Sequence, residues 1–234
     1  VYVVNAETEA VEAVLDVGPG PANFAASADG NTVWVAISAR DQIGVIDGRT
    51  RMLTRTVHGA PQPTGADGEP LPNSNVNAVM LGPNGERLYV SRGADNAVSV
   101  FTADTLEFLG AIPTSEYPTA LATIPMSSTL LVTEGRGGGS GPNLGGTPKS
   151  VTEGSATIVD LATIDLDQST ALVSSNYLRP QTIFPVDCDG RFPIPARPNQ
   201  RSPIEHVILV VKENKTFDCV FGDLEGDNVN ADPT

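Results

Sequence analysis

Short stretches of alternating apolar and polar residues recur along the first two thirds of the chain. The run around Val3 is followed by a similar run around Val45, 42 residues later, and by another around Val100. The second interval is 55 residues, and the additional 13 residues fall in an insertion at Ala60–Asn73 that is rich in Pro and Gly. A fixed repeat length of this size predicts stacked structural units.

A tight turn recurs in step with these runs. Asp29-Gly30 and Asn84-Gly85 each separate two alternating apolar stretches, a pattern typical of β-hairpins because both turn residues accept positive φ. A fourth run, Ala156–Asp160, follows a glycine-rich insertion at Gly135–Lys149. Each unit reads as four short strands in roughly 40 to 45 residues, which predicts β-propeller blades. We expect both insertions to leave the same rim of the propeller.

The turn and the strand after it resemble the YVTN-type (surface-layer-like) propeller family. That family carries a Pro-x-(Gly/Ala)-(Val/Ala)-x-x-(Ser/Thr)-Pro-(Asp/Asn)-Gly turn followed by a Val-Tyr-Val strand. The motif occurs at Pro21–Val35 and Asn75–Val90, with a degraded copy at Pro118–Val132. Residues 1–176 are then a partial propeller of about three and a half four-stranded blades. We expect further blades upstream, in a total number that stays open, and a chain that is a fragment.

Packing and turn formation explain the aromatic, aspartate and other prominent side chains of the blades better than ligand binding does. Three large apolar residues at equivalent repeat positions predict packing between blades: Trp34, Tyr89 and Leu131. Four aspartates are interpreted as turn residues that accept hydrogen bonds from the neighbouring backbone: Asp29, Asp47, Asp104 and Asp160. His58 has no ligand partner near it in the sequence and is expected on the surface.

The pattern changes after residue 176. Residues 177–203 form a Pro-rich linker, in which the prolines exclude a helix or a central strand. The apolar run Val207–Lys212 predicts a buried strand of a parallel sheet, at the start of an α/β domain over residues 204–234. Ligands of such sheets bind outside the carboxyl ends of the strands, so Glu213 and Asn214 lie where an active site would be built.

This segment resembles the opening of the phosphoesterase family within the alkaline phosphatase superfamily, a strand followed by Glu-Asn-(Arg/Lys)-(Ser/Thr)-(Phe/Tyr)-Asp. Here the string is Glu213–Asp218, and Phe221–Leu224 continues it. The resemblance implies hydrolysis of phosphomonoesters or phospholipid head groups. It implies Glu213 and Asn214 as ligands of a divalent metal (Zn, Mn, Mg or Ca), with the nucleophile beyond Thr234. These 234 residues alone would then be inactive.

The resemblance also implies a bacterial protein that is periplasmic or secreted, although no signal peptide pattern occurs in these residues. The net charge of −14 argues against nucleic acid as a partner, and no apolar run reaches the roughly 18 residues of a membrane span. Cys188 and Cys219 are compatible with one disulfide or with two free thiols. The alternative function is a propeller that binds a small molecule, a protein or a surface without catalysis.

Overall fold

The structure is a computed structural model that describes residues 1–60, 74–124, 127–137, 153–177 and 204–210. The chain divides into two compact units, Val1–Arg179 and Pro180–Thr234. Antiparallel strands make up most of the described part of the first unit. The described part of the second unit is the short segment Ile204–Val210.

Thirteen strands form four antiparallel sheets in the described residues. A half-blade pairs β1 (Tyr2–Val4) with β2 (Val11–Val14). Blade 1 contains β3 (Pro21–Ala26), β4 (Thr32–Ile37), β5 (Gln42–Asp47) and β6 (Met52–His58). Blade 2 contains β7 (Val76–Leu81), β8 (Arg87–Arg92), β9 (Ala97–Thr102) and β10 (Phe108–Pro113). Blade 3 contains β11 (Pro118–Thr123), β12 (Thr129–Glu134) and β13 (Ser155–Asp160). The predicted mainly β fold, a partial β-propeller, is confirmed.

The blades stack face to face through apolar side chains. Their first strands, β3, β7 and β11, lie next to one another in turn. One buried cluster joins blade 1 to blade 2 and includes Trp34, Leu88 and Phe101. A second cluster joins blade 2 to blade 3 around Tyr89 and Leu130. A third cluster joins the half-blade to blade 1 around Val35 and Ile37, so blades 1 and 2 each bury both faces against neighbouring sheets.

Left-handed backbone conformations recur with the repeat. The residue before the first strand of a blade has positive φ at Gly20 (72°), Asn75 (59°) and Tyr117 (62°). A further set with φ between 56° and 57° lies in the turn between the third and fourth strands: Glu9, Arg51 and Leu106. Residues other than Gly rarely adopt this region. Its recurrence at equivalent positions shows that the blade geometry itself requires it.

Helix α1 (Leu166–Tyr177) follows β13 where a four-stranded repeat would place its fourth strand. Blade 3 therefore departs from the predicted pattern. The Asp165 side chain caps the helix by accepting a hydrogen bond of 2.9 Å from the backbone N–H three residues later. The helix packs on β10, where the Ala111 N–H donates to Thr170 Oγ1 at 2.8 Å. Gly110 permits this contact, since a Cβ there would lie 2.5 Å from Thr170 Oγ1.

The segment Ile204–Val210 has no regular secondary structure. Its four apolar residues Val207–Val210 are between 81% and 88% exposed. The predicted buried strand is therefore wrong for the described part of that run. A strand forms only when its backbone bonds to a neighbouring strand, and these seven residues are all that the structure describes of their unit.

In the described ranges, the search for a helix that is both long and apolar enough to cross a membrane finds none.

Candidate functional site

Most of the buried polar and charged residues of the described propeller lie at the end of the sheets where second strands finish and first strands begin. We call this end the loop rim. Its described residues are Ser38–Asp41, Ser74–Asn75, Arg92–Asn96, Tyr117 and Glu134–Arg136. The described flanks of both insertions lie at this rim, as expected from the sequence: Ala94 donates to the carbonyl of Ser74, and Arg136 to that of Glu116. The insertions themselves, residues 61–73 and 138–152, lie outside the described residues.

A line of side-chain hydrogen bonds crosses all three blades along the loop rim. Ser38 Oγ donates to Asn75 Oδ1 at 2.5 Å, and Asn75 Nδ2 donates to the Tyr117 hydroxyl at 2.5 Å. The backbone N–H of Tyr117 donates to Asn96 Oδ1 at 2.9 Å. Two of these residues, Asn75 and Tyr117, are the left-handed residues that precede first strands. The network therefore fixes the turns where the loops begin.

Carboxylates are buried at the same rim. Asp41 is 8% exposed, and its carboxylate accepts the single hydroxyl hydrogen of Ser74, whose Oγ lies 2.6 Å from both carboxylate oxygens. Asp95 pairs with the buried Arg92 at 2.8 Å. These contacts satisfy charges that would otherwise be costly to bury. They connect the third strand of blade 1 to the first strand of blade 2, and the end of β8 to the turn after it.

Glu134 differs from these two carboxylates. It is 3% exposed, and its Oε2 accepts a hydrogen bond of 2.8 Å from Ser155 Oγ. Its Oε1 is buried without a hydrogen-bond partner in the part of the chain that the structure describes. Nearby, the Arg136 guanidinium lies 5.4 Å from the centroid of the Tyr117 ring, within the range of a cation–π contact. A buried acceptor and a stacked cation thus lie at the base of the glycine-rich insertion.

This arrangement is suited to holding a polar ligand and offers little for catalysis. Most of its oxygens already accept hydrogen bonds that position the loops. Among the described residues there is no group of three or more His, Cys, Asp or Glu side chains arranged to hold a metal ion. The loop rim therefore supplies single hydrogen-bonding groups and no metal centre within the described ranges.

The predicted metal ligands, Glu213 and Asn214, lie outside the described residues, as do Cys188 and Cys219. Their roles therefore stay predictions. No sequence motif marks Glu134, Arg136 paired with Tyr117, or Asp41 as a group. Their only sequence signal is position, because each follows or precedes a strand at a repeat boundary.

The aspartates predicted to shape turns are confirmed in that role. Asp47 Oδ1 accepts hydrogen bonds from the N–H groups of Arg49 and Thr50, and Asp160 Oδ1 accepts from that of Ala162. Asp104 accepts from the backbone of the next residue at 2.7 Å. Asp29 Oδ1 accepts from the N–H of Asn31 at 3.1 Å. These carboxylates hold their own loops, so they are not available as a catalytic cluster.

The pKa of Asp29 is lowered from 3.8 to about 2, first by the Ser27 hydroxyl and then by the backbone and side chain of Asn31. A depressed pKa stabilises the folded state above pH 3.8, and this stabilisation is lost as the pH falls toward 2. We expect the Asp29→Asn variant to lose less folding stability than the wild type as the pH is lowered. The check is the urea midpoint at pH 7, 4 and about 2.5, with Asp104→Asn as the matched control. Equal pH dependence in Asp29→Asn and wild type would contradict it.

The large apolar residues at equivalent positions pack between blades, as predicted, in the two complete sheets. Trp34 is 4% exposed and Tyr89 is 3% exposed, each within a core cluster. Burial raises the pKa of the Tyr89 hydroxyl. Leu131, on the last blade, is only half-buried. His58 ends β6 and is exposed, which confirms its predicted surface position.

Comparison with known proteins supports the fold. No family model and no curated protein matches the sequence. Hydrazine synthase from Kuenenia stuttgartiensis is structurally similar with a TM-score of 0.50 at 21% identity; the match covers 68% of this chain and 39% of that one. The RRP9 WD40 repeats align with a TM-score of 0.41 at 14% identity, over 49% of this chain and 32% of that one. This chain therefore spans well under half of the hydrazine synthase chain, and the likeness concerns its mainly β architecture of stacked antiparallel sheets.

Proposed function

We propose that the protein is part of a metal-dependent phosphate-ester hydrolase in which the propeller is a non-catalytic module. The observation that carries the proposal is the string Glu213–Asp218, which directly follows an apolar run and is continued by Phe221–Leu224. A lone Glu-Asn pair would carry little weight. Here the whole string resembles the opening of a phosphoesterase domain and follows a propeller and a Pro-rich segment.

The chemistry of Glu213 and Asn214 fits a divalent cation. A carboxylate and an amide oxygen are hard ligands, which suit Mg, Mn or Ca and are acceptable to Zn. When bound, such a cation polarises phosphoryl oxygens and lowers the pKa of an attacking hydroxyl. In this proposal, the two side chains hold the cation at the end of the apolar run. The substrate class is a phosphomonoester or a phospholipid head group, and the location is the periplasm or the exterior of a bacterium.

The described propeller is consistent with a supporting role. Its turn aspartates and the Asp41–Ser74 pair are engaged in the contacts that shape the blades. Diverting one of these groups to a substrate would lose the hydrogen bond that holds its loop. The chemistry is therefore assigned to the segment after residue 204.

The test is hydrolysis of a chromogenic phosphate ester by the longer two-domain protein that the resemblance implies. We expect activity that depends on one of Mg, Mn, Ca or Zn and disappears with a chelator. The 234-residue chain by itself is expected to be inert. Absence of hydrolysis by the longer protein with every one of these metals would contradict the proposal.

A second candidate function is a binding protein with no catalysis. The observation that favours it is the base of the glycine-rich insertion, where the buried Glu134 Oε1 has no partner among the described residues and Arg136 stacks on Tyr117. Such groups could orient a small-molecule or protein ligand. The downstream sequence discriminates between the two, since the hydrolase requires a Ser or Thr nucleophile and further Asp or His ligands there.

A further inference from the structure

The turn between β7 and β8 carries the only Asn-Gly dipeptide of the chain, Asn84-Gly85. Both residues are exposed, at the end of the sheets opposite to the loop rim. The backbone N–H of Gly85 donates to the Gly82 carbonyl at 2.9 Å, and the N–H of Gly82 donates to the Arg87 carbonyl at 2.8 Å. Asparagine is one of the chemically labile residues of proteins, so the surroundings of this side chain decide its fate.

The side chain of Asn84 lies alongside the peptide group of Gly85. Asn84 Oδ1 accepts a hydrogen bond of 3.3 Å from the backbone N–H of Glu86, and Asn84 Nδ2 donates to Glu86 Oε2 at 2.6 Å. A Cβ built at Gly85 would meet no atom within 4 Å, so packing does not oppose a movement of this peptide group. Because glycine has no side chain, its nitrogen can approach the Asn84 carbonyl carbon with little steric resistance.

The other asparagines in the described ranges lack this combination. Each of them is followed by a residue that has a Cβ. Several are also held by the rest of the fold, as Asn23 is by the backbone N–H of Val79 and Asn96 by that of Tyr117. The side-chain bonds of Asn84 reach only Glu86, within the same exposed turn. The asparagines compared are Asn5, Asn23, Asn31, Asn75, Asn77, Asn96 and Asn176.

The equivalent turn of blade 1 shows what the site would become. There Asp29 Oδ2 accepts a hydrogen bond of 2.6 Å from Asn31 Nδ2. Each turn therefore pairs one amide with one carboxylate, in opposite orders along the chain. A carboxylate at position 84 would face the carboxylate of Glu86 and would replace the amide–carboxylate pair of blade 2 with two like charges.

We propose that Asn84 is a site of spontaneous deamidation. The backbone nitrogen of Gly85 forms a bond to Asn84 Cγ, and the bond from Cγ to Nδ2 breaks. Nδ2 leaves as ammonia with the proton that the Gly85 nitrogen gives up. Water then opens the cyclic imide at either of its carbonyl groups, which yields aspartate or isoaspartate. Water is the only co-reactant, and the site is independent of the hydrolase proposal.

Both products weaken the turn. Aspartate removes the donor to Glu86 and places a negative charge against another one. Isoaspartate adds a carbon atom to the backbone, which displaces the hydrogen bond from Gly85 to Gly82. The two strands that this turn connects contribute to the core between blades 1 and 2. Deamidation therefore loosens a hairpin on which that core depends.

The first test is mass spectrometry of the full 234-residue chain, kept folded at neutral pH and sampled over weeks. Fragment ions locate each asparagine whose amide has become a carboxyl group. We expect Asn84 to convert before every other described asparagine, but more slowly than in the free peptide Leu81–Tyr89, because Gly85 must first release the Gly82 carbonyl. Synthetic peptides with aspartate or isoaspartate in place of Asn84 identify the two products.

Two results of this experiment would overturn the proposal. One is faster conversion of another described asparagine. The other is an Asn84 that stays intact in the folded chain while the free peptide converts completely, because the fold would then protect the site.

The second test measures the effect on the turn by urea unfolding at low ionic strength, where repulsion between exposed charges is not screened. We expect Asn84→Asp to lower the urea midpoint. Adding Glu86→Asn restores an amide–carboxylate pair in the order found in blade 1, so the double variant should recover most of the loss. Glu86→Asn alone is the matched control and should change the midpoint little. A double variant no more stable than Asn84→Asp would overturn the proposed effect on the turn.

Discussion

Replacing Glu213 and Asn214 together with alanine is expected to reduce metal-stimulated hydrolysis of a chromogenic phosphate ester to the level of the buffer. The physical reason is that both side chains present oxygen ligands at the same end of an apolar run, and alanine presents none. A metal site that loses two ligands at once loses its cation and the charge stabilisation that the cation gives to the transition state. The measurement is the initial rate in the longer two-domain protein over a range of metal concentrations.

The controls are one glutamate and one asparagine of the same unit that are not in the string. Glu205→Ala and Asn228→Ala should retain the rate of the unchanged protein. Calorimetric titration with the same metal provides a second readout, because loss of the ligands should abolish tight binding even if the protein remains folded. If the double variant keeps its activity, these two residues are not the ligands.

Trp34→Ala is expected to destabilise the propeller unit by about 3 to 5 kcal/mol, the usual cost of deleting a buried aromatic side chain. Trp34 is 4% exposed and lies in the cluster that joins blade 1 to blade 2 with Leu88 and Phe101. Its removal leaves a cavity that rigid sheets cannot close. The measurement is urea unfolding followed by circular dichroism.

Two further variants limit the interpretation of this experiment. Trp34 Nε1 is buried with no hydrogen-bond partner among the described residues, so Trp34→Phe removes an unsatisfied donor and should cost far less than alanine. Met52→Ala, at a position that is 64% exposed, should change stability by less than about 0.5 kcal/mol. A Trp34→Ala variant as stable as Met52→Ala would show that the interface between the blades does not depend on this side chain.

The repeat made most of the propeller predictable from the sequence. Asp29-Gly30 and Asn84-Gly85 are local signals, and a hairpin turn forms wherever both residues can adopt its backbone angles. The 42-residue interval then aligned Val3 with Val45, and both contribute to the interfaces expected of them. When local turn signals agree with a long-range repeat, few other folds are compatible with the sequence.

Helix α1 was not predicted, although a local signal for it exists. Asp165 followed by Gln168 resembles a capping box, and Leu166 and Val173 lie on one face of a helix. The expectation of a fourth strand outweighed these signals. The helix packs on blade 2 because Gly110 lacks a side chain, and such a pairing of distant residues has no pattern in the sequence.

The loop rim was predicted only as a location. The sequence placed both insertions at one end of the sheets, but it did not show that Asn75 and Tyr117 would bond to each other across two blades. That contact depends on the angle between sheets, which the repeat length does not specify. The prediction of a buried strand was wrong at Val207–Val210 for a related reason. Hydrophobicity alone does not provide the neighbouring strand that a parallel sheet requires.

The recurring left-handed residues have an evolutionary consequence. Glu9, Arg51 and Leu106 share one backbone conformation, although their side chains are acidic, basic and apolar. Duplicated units whose geometry depends on conformation can exchange almost every side chain and still superpose. In such a chain the backbone conformation of the repeat is retained at positions where the residue type is not.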